Sequence, residues 1–238
     1  MHMKQPASEN GLTFRRVYHY SFWQIERTEK RWEWDVARTV FDPESVDQKE
    51  ANRFYNYWRK RLFNRSVPED DGFIYMPLQG RLLNQRSFQM CTPIEMIERT
   101  LAIFPDYKIV ATLHPKEIYS VRELNAVEHL ESTYPNLEVR TGQMEVLLDR
   151  CSFVVTQNSS IAFNGYFFEK PAVLFGKIDF HHIALSGASI KCADQIAVHK
   201  PNFAAYVYWF WQDQAINAGH KNAERKIKDR FTKFGWLQ

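Results

Sequence analysis

The sequence contains few glycines and few cysteines, and it has no long apolar run. Only 9 of its 238 residues are glycine, so glycine-rich phosphate loops of the Walker or G-x-G-x-x-G type have little material to be built from. Its three cysteines are odd in number and far apart, which argues against a disulfide framework and against a cysteine zinc site. No run approaches 18 apolar residues and the opening MHMKQPASENG has no apolar core, so we expect neither a membrane span nor a signal peptide, and a cytoplasmic location.

The overall charge is nearly balanced. There are 31 Lys and Arg residues against 28 Asp and Glu residues, a net charge of +3, which does not indicate a nucleic-acid partner. A hydrophobic share of 45% and a charged share of 25% are ordinary for a folded globular chain. The length suits one large domain or two small ones. Aromatic residues, at 15% with seven tryptophans, are the unusual part of the composition.

Residues 73–175 alternate short apolar runs with longer amphipathic segments. Two helices are predicted to begin at capping boxes, Thr92 with Glu95 and Ser120 with Glu123, and shorter helices are predicted at 143–150 and 159–168. The predicted strands are residues 73–78, 108–113, 137–140, 152–156 and 171–176. Five strands separated by four helices predict an α/β fold, a single Rossmann-like parallel sheet with helices on both faces.

The flanks lead us to predict three segments. They are an N-terminal aromatic and basic helical arm without a strand pattern (1–66), the Rossmann-like domain (67–190), and C-terminal helices that pack on the domain or on a partner (191–238). The predicted helix 53–63 alternates aromatic and cationic residues, which either pack on the domain with their charges in water or form a surface for acidic lipid or polyanionic glycan. The segment 203–216 is apolar nearly all round, which predicts that it is buried or meets a partner.

Polar residues follow several of the predicted strands. Ligands of open parallel sheets bind at the carboxyl ends of the strands, where loops and helix starts gather. The candidates at these ends are Gln79, His114, Pro115, Asn158, Ser159 and Ser160. Hydroxyl and amide side chains beside free backbone N–H groups predict a phosphate site. The alternatives are that Asn158 or Ser159 is only a helix N-cap and that His114 is structural.

No catalytic base is assigned from the sequence. His114 and His182, the latter in the loop after the fifth strand, are the candidates for acid or base work. The acidic run at residues 69–71 precedes the first strand, at the opposite edge of the sheet, and is interpreted as a solvated turn. No other acidic cluster indicates a metal site, so we expect neither a metal nor a cofactor.

Three segments together resemble a known family. FIYMPLQ (73–79), IVATLHPKE (109–117) and FVVTQNSSIAFNGYFFEKPAVLFG (153–176) are similar to the bacterial capsular polysaccharide biosynthesis proteins, the group that contains the Kdo transferases. That family has the GT-B architecture of two Rossmann-like halves, and its C-terminal half binds a CMP-activated sugar. The His-Pro and Ser-Ser pairs also resemble those of CMP-dependent bacterial sialyltransferases. The resemblance covers roughly residues 73–180.

The resemblance implies a metal-independent glycosyltransferase of capsular or surface polysaccharide synthesis. It would transfer a sugar of the Kdo or sialic-acid type from a CMP-sugar donor to a glycan or glycolipid acceptor. His114 and Pro115 would flank the cytidine nucleotide, Ser159 and Ser160 would bind its phosphate, and Gln79 would line the cleft. Asn164, which stands where such sequences usually have a glutamate, would lie in the same nucleotide site.

Alternatives follow from the length and from two departures. One Rossmann-like unit fills most of the chain, so a two-domain cleft requires a homodimer or a partner domain. Asn164 replaces the usual glutamate, and Asn84 and Gln85 stand where an acidic residue is expected after Gln79, which favours a non-catalytic module that binds glycan or docks on a transferase. A third hypothesis is a transferase with a UDP or GDP donor. A further hypothesis is that the protein contacts a membrane. In that case its basic aromatic flanks would lie at the inner face of the membrane.

Overall fold

The structure, a computed structural model, describes residues 8–64 and 69–237. The chain divides into two compact units. The described parts of Met1–Tyr55 and Ala204–Gln238 form the first unit, and those of Asn56–Phe203 form the second. The boundaries predicted from the sequence, 66/67 and 190/191, lie elsewhere, because local composition does not reveal that the two ends of the chain pair with each other.

In chain order the helices and strands of the described residues are β1 (Thr13–Arg16), β2 (Phe22–Glu26), α1 (Asp35–Arg38), α2 (Gln48–Phe63), β3 (Phe73–Pro77), α3 (Pro93–Ile103), β4 (Lys108–Leu113), α4 (Val121–Thr133), β5 (Leu137–Thr141), α5 (Met144–Arg150), β6 (Phe153–Thr156), α6 (Ser160–Tyr166), β7 (Ala172–Leu174), β8 (Leu185–Ser186), α7 (Asp194–Val198), α8 (Phe203–Tyr208), β9 (Ile216–Asn217) and α9 (Ala223–Lys233). Short 3₁₀ turns occupy Arg31–Glu33 and Pro43–Ser45, and a π-helical turn occupies Trp209–Asp213.

The second unit is built on a six-stranded parallel sheet in the order β5-β4-β3-β6-β7-β8. In the centre, Ile74 of β3 pairs with Ile109 of β4 on one side and with Phe153 of β6 on the other. The predicted parallel sheet with flanking helices is therefore confirmed, and its five predicted strands match β3 to β7. The two-residue strand β8 was not predicted, because a run of two residues carries no periodicity.

Local sequence signals set the two longest helices of this unit. The Thr92 hydroxyl accepts a hydrogen bond from the Glu95 amide at 3.1 Å, and the Glu95 carboxylate accepts one from the Thr92 amide at 2.8 Å. Ser120 and Glu123 repeat the arrangement at the start of α4. Both predicted capping boxes are confirmed, and apolar faces of the two helices bury against the sheet.

The first unit contains strands that the sequence did not indicate. β1, β2 and β9 form an antiparallel sheet, so the expectation of no strand in residues 1–66 is wrong. β9 is only two residues long and pairs with β2 across about 190 positions of sequence. A contact of this range leaves no local pattern for sequence analysis to detect.

Aromatic packing forms the core of the first unit. The rings of Phe22 and Trp211 stack with centroids 4.3 Å apart, and those of Tyr206 and Phe210 lie 5.7 Å apart. The prediction that the segment 203–216 is buried is thus confirmed for Tyr206, Trp209, Phe210 and Trp211, whereas Phe203 and Tyr208 are half-buried. In the helix 53–63, Trp58 and Phe63 are buried while Tyr57 is 55% exposed. The interpretation that the aromatic side chains of this helix are packed against the protein therefore holds for Trp58 and Phe63 but not for Tyr57.

Among the residues that the structure describes, none of the helices has the length and apolar character needed to cross a membrane.

Candidate functional site

The centre of the parallel sheet is a topological switch point. From β3 the sheet grows through β4 and β5 on one side, and through β6, β7 and β8 on the other. Loops that leave the carboxyl ends of β3 and β6 therefore run in opposite directions, and a crevice opens between them. This is the position at which doubly wound parallel sheets bind their ligands.

A pocket of about 580 Å³ lies at this edge of the second unit, within the size range of small-molecule sites. The structure brings six of the eight candidate residues into its lining. They are Gln79, His114, Pro115, Ser159, Ser160 and Asn164. The residues follow three strands, β3, β4 and β6, that are far apart in sequence. They meet because the carboxyl ends of parallel strands lie at the same edge of a sheet.

The loop after β4 positions His114. The backbone amide of His114 donates to the Tyr119 hydroxyl at 2.9 Å, and the ring Nδ1 accepts from the Lys116 amide at 3.2 Å. Because Nδ1 is an acceptor, the neutral ring carries its proton on Nε2. The exposed imidazole therefore offers Nε2–H as a hydrogen-bond donor to a ligand in the pocket.

The turn after β6 supplies the hydroxyl groups. Ser159 is the N-cap of α6, and its oxygen accepts from the Ile161 amide at 3.3 Å, so this residue caps the helix and also lines the pocket. Its hydroxyl proton remains a donor in this arrangement. Ser160 is exposed on the pocket surface, and Asn164 is buried one helical turn further on. Two hydroxyls and one amide thus line the same wall.

Gln79 lies at the start of the loop after β3 and has a buried amide oxygen. This Oε1 has no hydrogen-bond partner among the residues that the structure describes, and an unpaired buried acceptor is costly. Tyr75 lies beneath the pocket, where its hydroxyl is 3.1 Å from the Thr112 hydroxyl, and burial raises its pKa to about 12. Tyr75 is therefore a neutral part of the lining.

The other two candidates lie outside this lining. The Asn158 side-chain amide donates to the Lys177 carbonyl at 3.4 Å. The His182 ring stacks on that of His181, with centroids 4.4 Å apart, in the loop after β7. Neither residue is among those that form the pocket.

Sequence analysis missed two charged residues of the pocket, Glu117 and Arg86. Glu117 is the acidic residue of the lining, and its carboxylate lies against Gly80: a Cβ at Gly80 would be 2.5 Å from Glu117 Oε2. The available signal was its place two residues after Pro115, in the loop that follows β4. Arg86 comes from an irregular loop, where no sequence pattern places a side chain.

No protein-family model matches the chain, and no curated protein matches it. The chain does match solved structures. The chain is similar to "Thermosulfurimonas dismutans KpsC, beta Kdo 2,7 transferase" at 14% identity and a TM-score of 0.51, over 82% of this chain and 67% of that one. It is also similar to "Structure of the Wall Teichoic Acid Polymerase TagF, H548A" at 12% identity and a TM-score of 0.35, over 80% of this chain and 50% of that one.

These likenesses bear on the fold. At 14% identity, the similarity to KpsC shows a shared architecture, and the TM-score of TagF is too low to carry an argument. The second unit is thus a six-stranded parallel sheet flanked by helices that resembles one half of a GT-B glycosyltransferase. The chain spans about half the length of the TagF chain that it matches.

Proposed function

We propose that the chain is a glycosyltransferase-like protein that binds a CMP-activated sugar in the pocket at the switch point and transfers the sugar to a glycan acceptor. The observation that carries the proposal is the convergence of His114, Ser159 and Ser160 in one pocket. The resemblance of the same residues to CMP-sugar enzymes supports the choice of cytidine. A donor sugar of the Kdo or sialic-acid type is part of this proposal.

The polar wall suits a nucleotide phosphate. The hydroxyls of Ser159 and Ser160 and the Nε2–H of His114 are hydrogen-bond donors that face the same space. In transfer, the bond between the anomeric carbon and the phosphate oxygen breaks, and negative charge develops on the departing CMP. Donors that are already in place stabilise that charge.

Glu117 is the proposed general base. The acceptor hydroxyl forms the new bond to the anomeric carbon and must lose its proton, and Glu117 is the carboxylate in the pocket lining that can accept it. Asn84, which stands where the family resemblance calls for an acidic residue, lies in the lining of a neighbouring pocket. Glu117 is thus proposed to accept the proton, although it was not among the candidate residues identified from the sequence.

A thermal-shift titration with CMP, UMP, GMP and AMP tests the donor site, because a ligand that binds only the folded state raises the unfolding midpoint. We expect a shift of several degrees that is specific to CMP. His114→Ala and Ser160→Ala should each lose most of it, while His129→Ala, which changes an exposed histidine of α4 outside the pocket, should keep it. A shift with UMP, GMP or AMP in the absence of a shift with CMP would overturn the cytidine assignment.

A non-catalytic glycan-binding or docking module is the second candidate function. It is favoured by Asn164, an amide in the pocket where the resembling family has a glutamate. Incubation with a CMP-sugar and measurement of released CMP distinguish the two. Binding of CMP without turnover on any acceptor supports the module.

Partners and location are proposed along with the function. A second copy of the chain or a partner domain would complete a two-domain cleft, and the acceptor would be a glycan or glycolipid at the inner face of the membrane. Sedimentation of the purified chain with and without anionic vesicles tests both, because it reports the oligomeric state and membrane contact separately.

A further inference from the structure

A second pocket adjoins the proposed nucleotide pocket. Its volume is about 670 Å³, and the two pockets share Arg86. Three arginines, Arg81, Arg86 and Arg122, line it together with the amide side chains of Asn84 and Gln85. We call this the arginine pocket.

Positive charge exceeds negative charge in the arginine pocket. Glu123 is the acidic residue of its lining, and that carboxylate is already occupied: it accepts from the Leu82 amide at 2.6 Å and from the Ser120 amide and hydroxyl, each at 2.8 Å. These hydrogen bonds, first those from Ser120, lower the pKa of Glu123. The lining therefore combines three guanidinium groups with one carboxylate, whose hydrogen-bonding capacity is largely used by the Leu82 amide and by Ser120.

Arg86 has unsatisfied donors between the two pockets. Its Nε and Nη2 atoms are buried and lack a hydrogen-bond partner among residues 8–64 and 69–237. The guanidinium lies over the Phe88 ring, 4.9 Å from its centroid, and it stays charged in proteins. Burial, and then the neighbouring charge of Arg81, lower the pKa of Arg86, while Glu117 acts in the opposite direction. A bound anion would supply the missing acceptors.

The other two arginines occupy positions that local structure disfavours. Arg81 has a φ of +63°, a left-handed conformation that is uncommon for residues other than glycine. Arg122 is the second residue of α4, where the helix dipole disfavours a positive side chain. An arginine therefore does not stabilise the local structure at either position. Residues that conflict with local conformational or electrostatic preferences are expected at functional sites.

We propose that the arginine pocket binds the carboxylate or phosphate group of an acidic sugar while a nucleotide occupies the neighbouring pocket. The inference rests on the proposed function and specifies its acceptor as a glycan that carries an anionic group beside the reacting hydroxyl. Guanidinium groups pair with both carboxylate and phosphate through two parallel hydrogen bonds. The amides of Asn84 and Gln85 are suited to sugar hydroxyls, and the volume is within the range of small-molecule sites.

Calorimetric titration of the full chain tests the arginine pocket. The probes are trigalacturonic acid for carboxylate, glucose 1-phosphate for phosphate, neutral maltotriose, and inorganic phosphate alone. We expect at least one acidic sugar to bind and maltotriose not to bind. Arg122→Gln and Arg81→Gln should each weaken that binding by about tenfold or more, as expected for a lost charged hydrogen bond. Arg99→Gln removes an exposed arginine of α3 outside both pockets and should change the affinity less than about twofold.

Each of three results would refute the proposal that the arginine pocket binds an acidic sugar. They are no binding of either acidic sugar, binding of inorganic phosphate alone as tight as that of the acidic sugar, or a loss of affinity in Arg99→Gln as large as in Arg122→Gln and Arg81→Gln. The CMP titration keeps the two proposals apart, because Arg122 does not line the nucleotide pocket. CMP binding without acidic-sugar binding refutes the arginine pocket and leaves the proposed function standing. Acidic-sugar binding that depends on Arg122, in a chain that binds no CMP, refutes the proposed donor and retains the arginine pocket.

Discussion

The buried carboxyl of Glu26 makes the stability of the first unit depend on pH. Glu26 is 3% exposed in β2. Burial, and then the neighbouring Asp35 carboxylate, raise its pKa from 4.5 to about 7, although the Arg230 guanidinium 3.9 Å away opposes the rise. Lys233 and Arg230 both pair with Asp35, at 2.5 and 2.6 Å, so their charges are directed mainly at that residue. Glu26 is left as a carboxyl whose ionisation is unfavourable in the folded protein.

The sign and size of the effect follow from this shift. The folded protein holds the Glu26 proton more tightly than the unfolded chain does, so the stabilisation is complete below pH 4.5 and is lost as the pH rises toward 7. A pKa raised from 4.5 to about 7 corresponds to about 3 kcal/mol in the free energy of unfolding. Glu26→Gln keeps the shape and the acceptor for the Asp35 amide, but it cannot ionise. At pH 8 the variant should therefore be more stable than the wild type by up to about 3 kcal/mol, and near pH 4 the two should be alike.

Urea unfolding followed by tryptophan fluorescence measures this difference, because six of the seven tryptophans lie in the first unit. The free energies of unfolding of the wild type and Glu26→Gln are compared at several pH values from 4 to 8. Glu44→Gln, the same change at an exposed glutamate, is the matched control and should follow the wild type. Parallel curves for the wild type and Glu26→Gln across this range would refute the reasoning.

Two further predictions concern the second unit. Glu117→Gln should lower CMP release from a CMP-sugar by about 100-fold or more and leave the CMP-induced midpoint shift intact; unchanged turnover would exclude Glu117 as the base. Gly187→Ala should lower the free energy of unfolding by about 2 kcal/mol, since a Cβ there would lie 2.6 Å from the buried Phe175 ring. Gly219→Ala, where the nearest atom would be 3.6 Å away, is the comparison, and equal effects of the two would count against the steric explanation.

Much of the second unit could be predicted from local sequence. The capping boxes at Thr92 and Ser120 are made by residues three positions apart, so their hydrogen bonds depend on the sequence nearby. The strand at 108–113 was predicted with its observed bounds, because a short apolar run between turn residues is a strong strand signal. The carboxyl-end rule then placed Gln79, His114 and Ser160 at one edge of the sheet.

Only the tertiary structure decided which polar groups meet and which remain unpaired. The pairing of β2 with β9 joins residues about 190 positions apart, and it makes the two ends of the chain one unit. Arg86 and Glu117 enter the pocket from loops, whose conformations depend on their packing surroundings and not on a periodic pattern. Sequence determined the sheet and the edge at which a ligand would lie, since those follow from local hydrophobicity and strand direction. The burial of Arg86 and the charge of the adjoining pocket depend on long-range contacts, and so only the folded chain determines them.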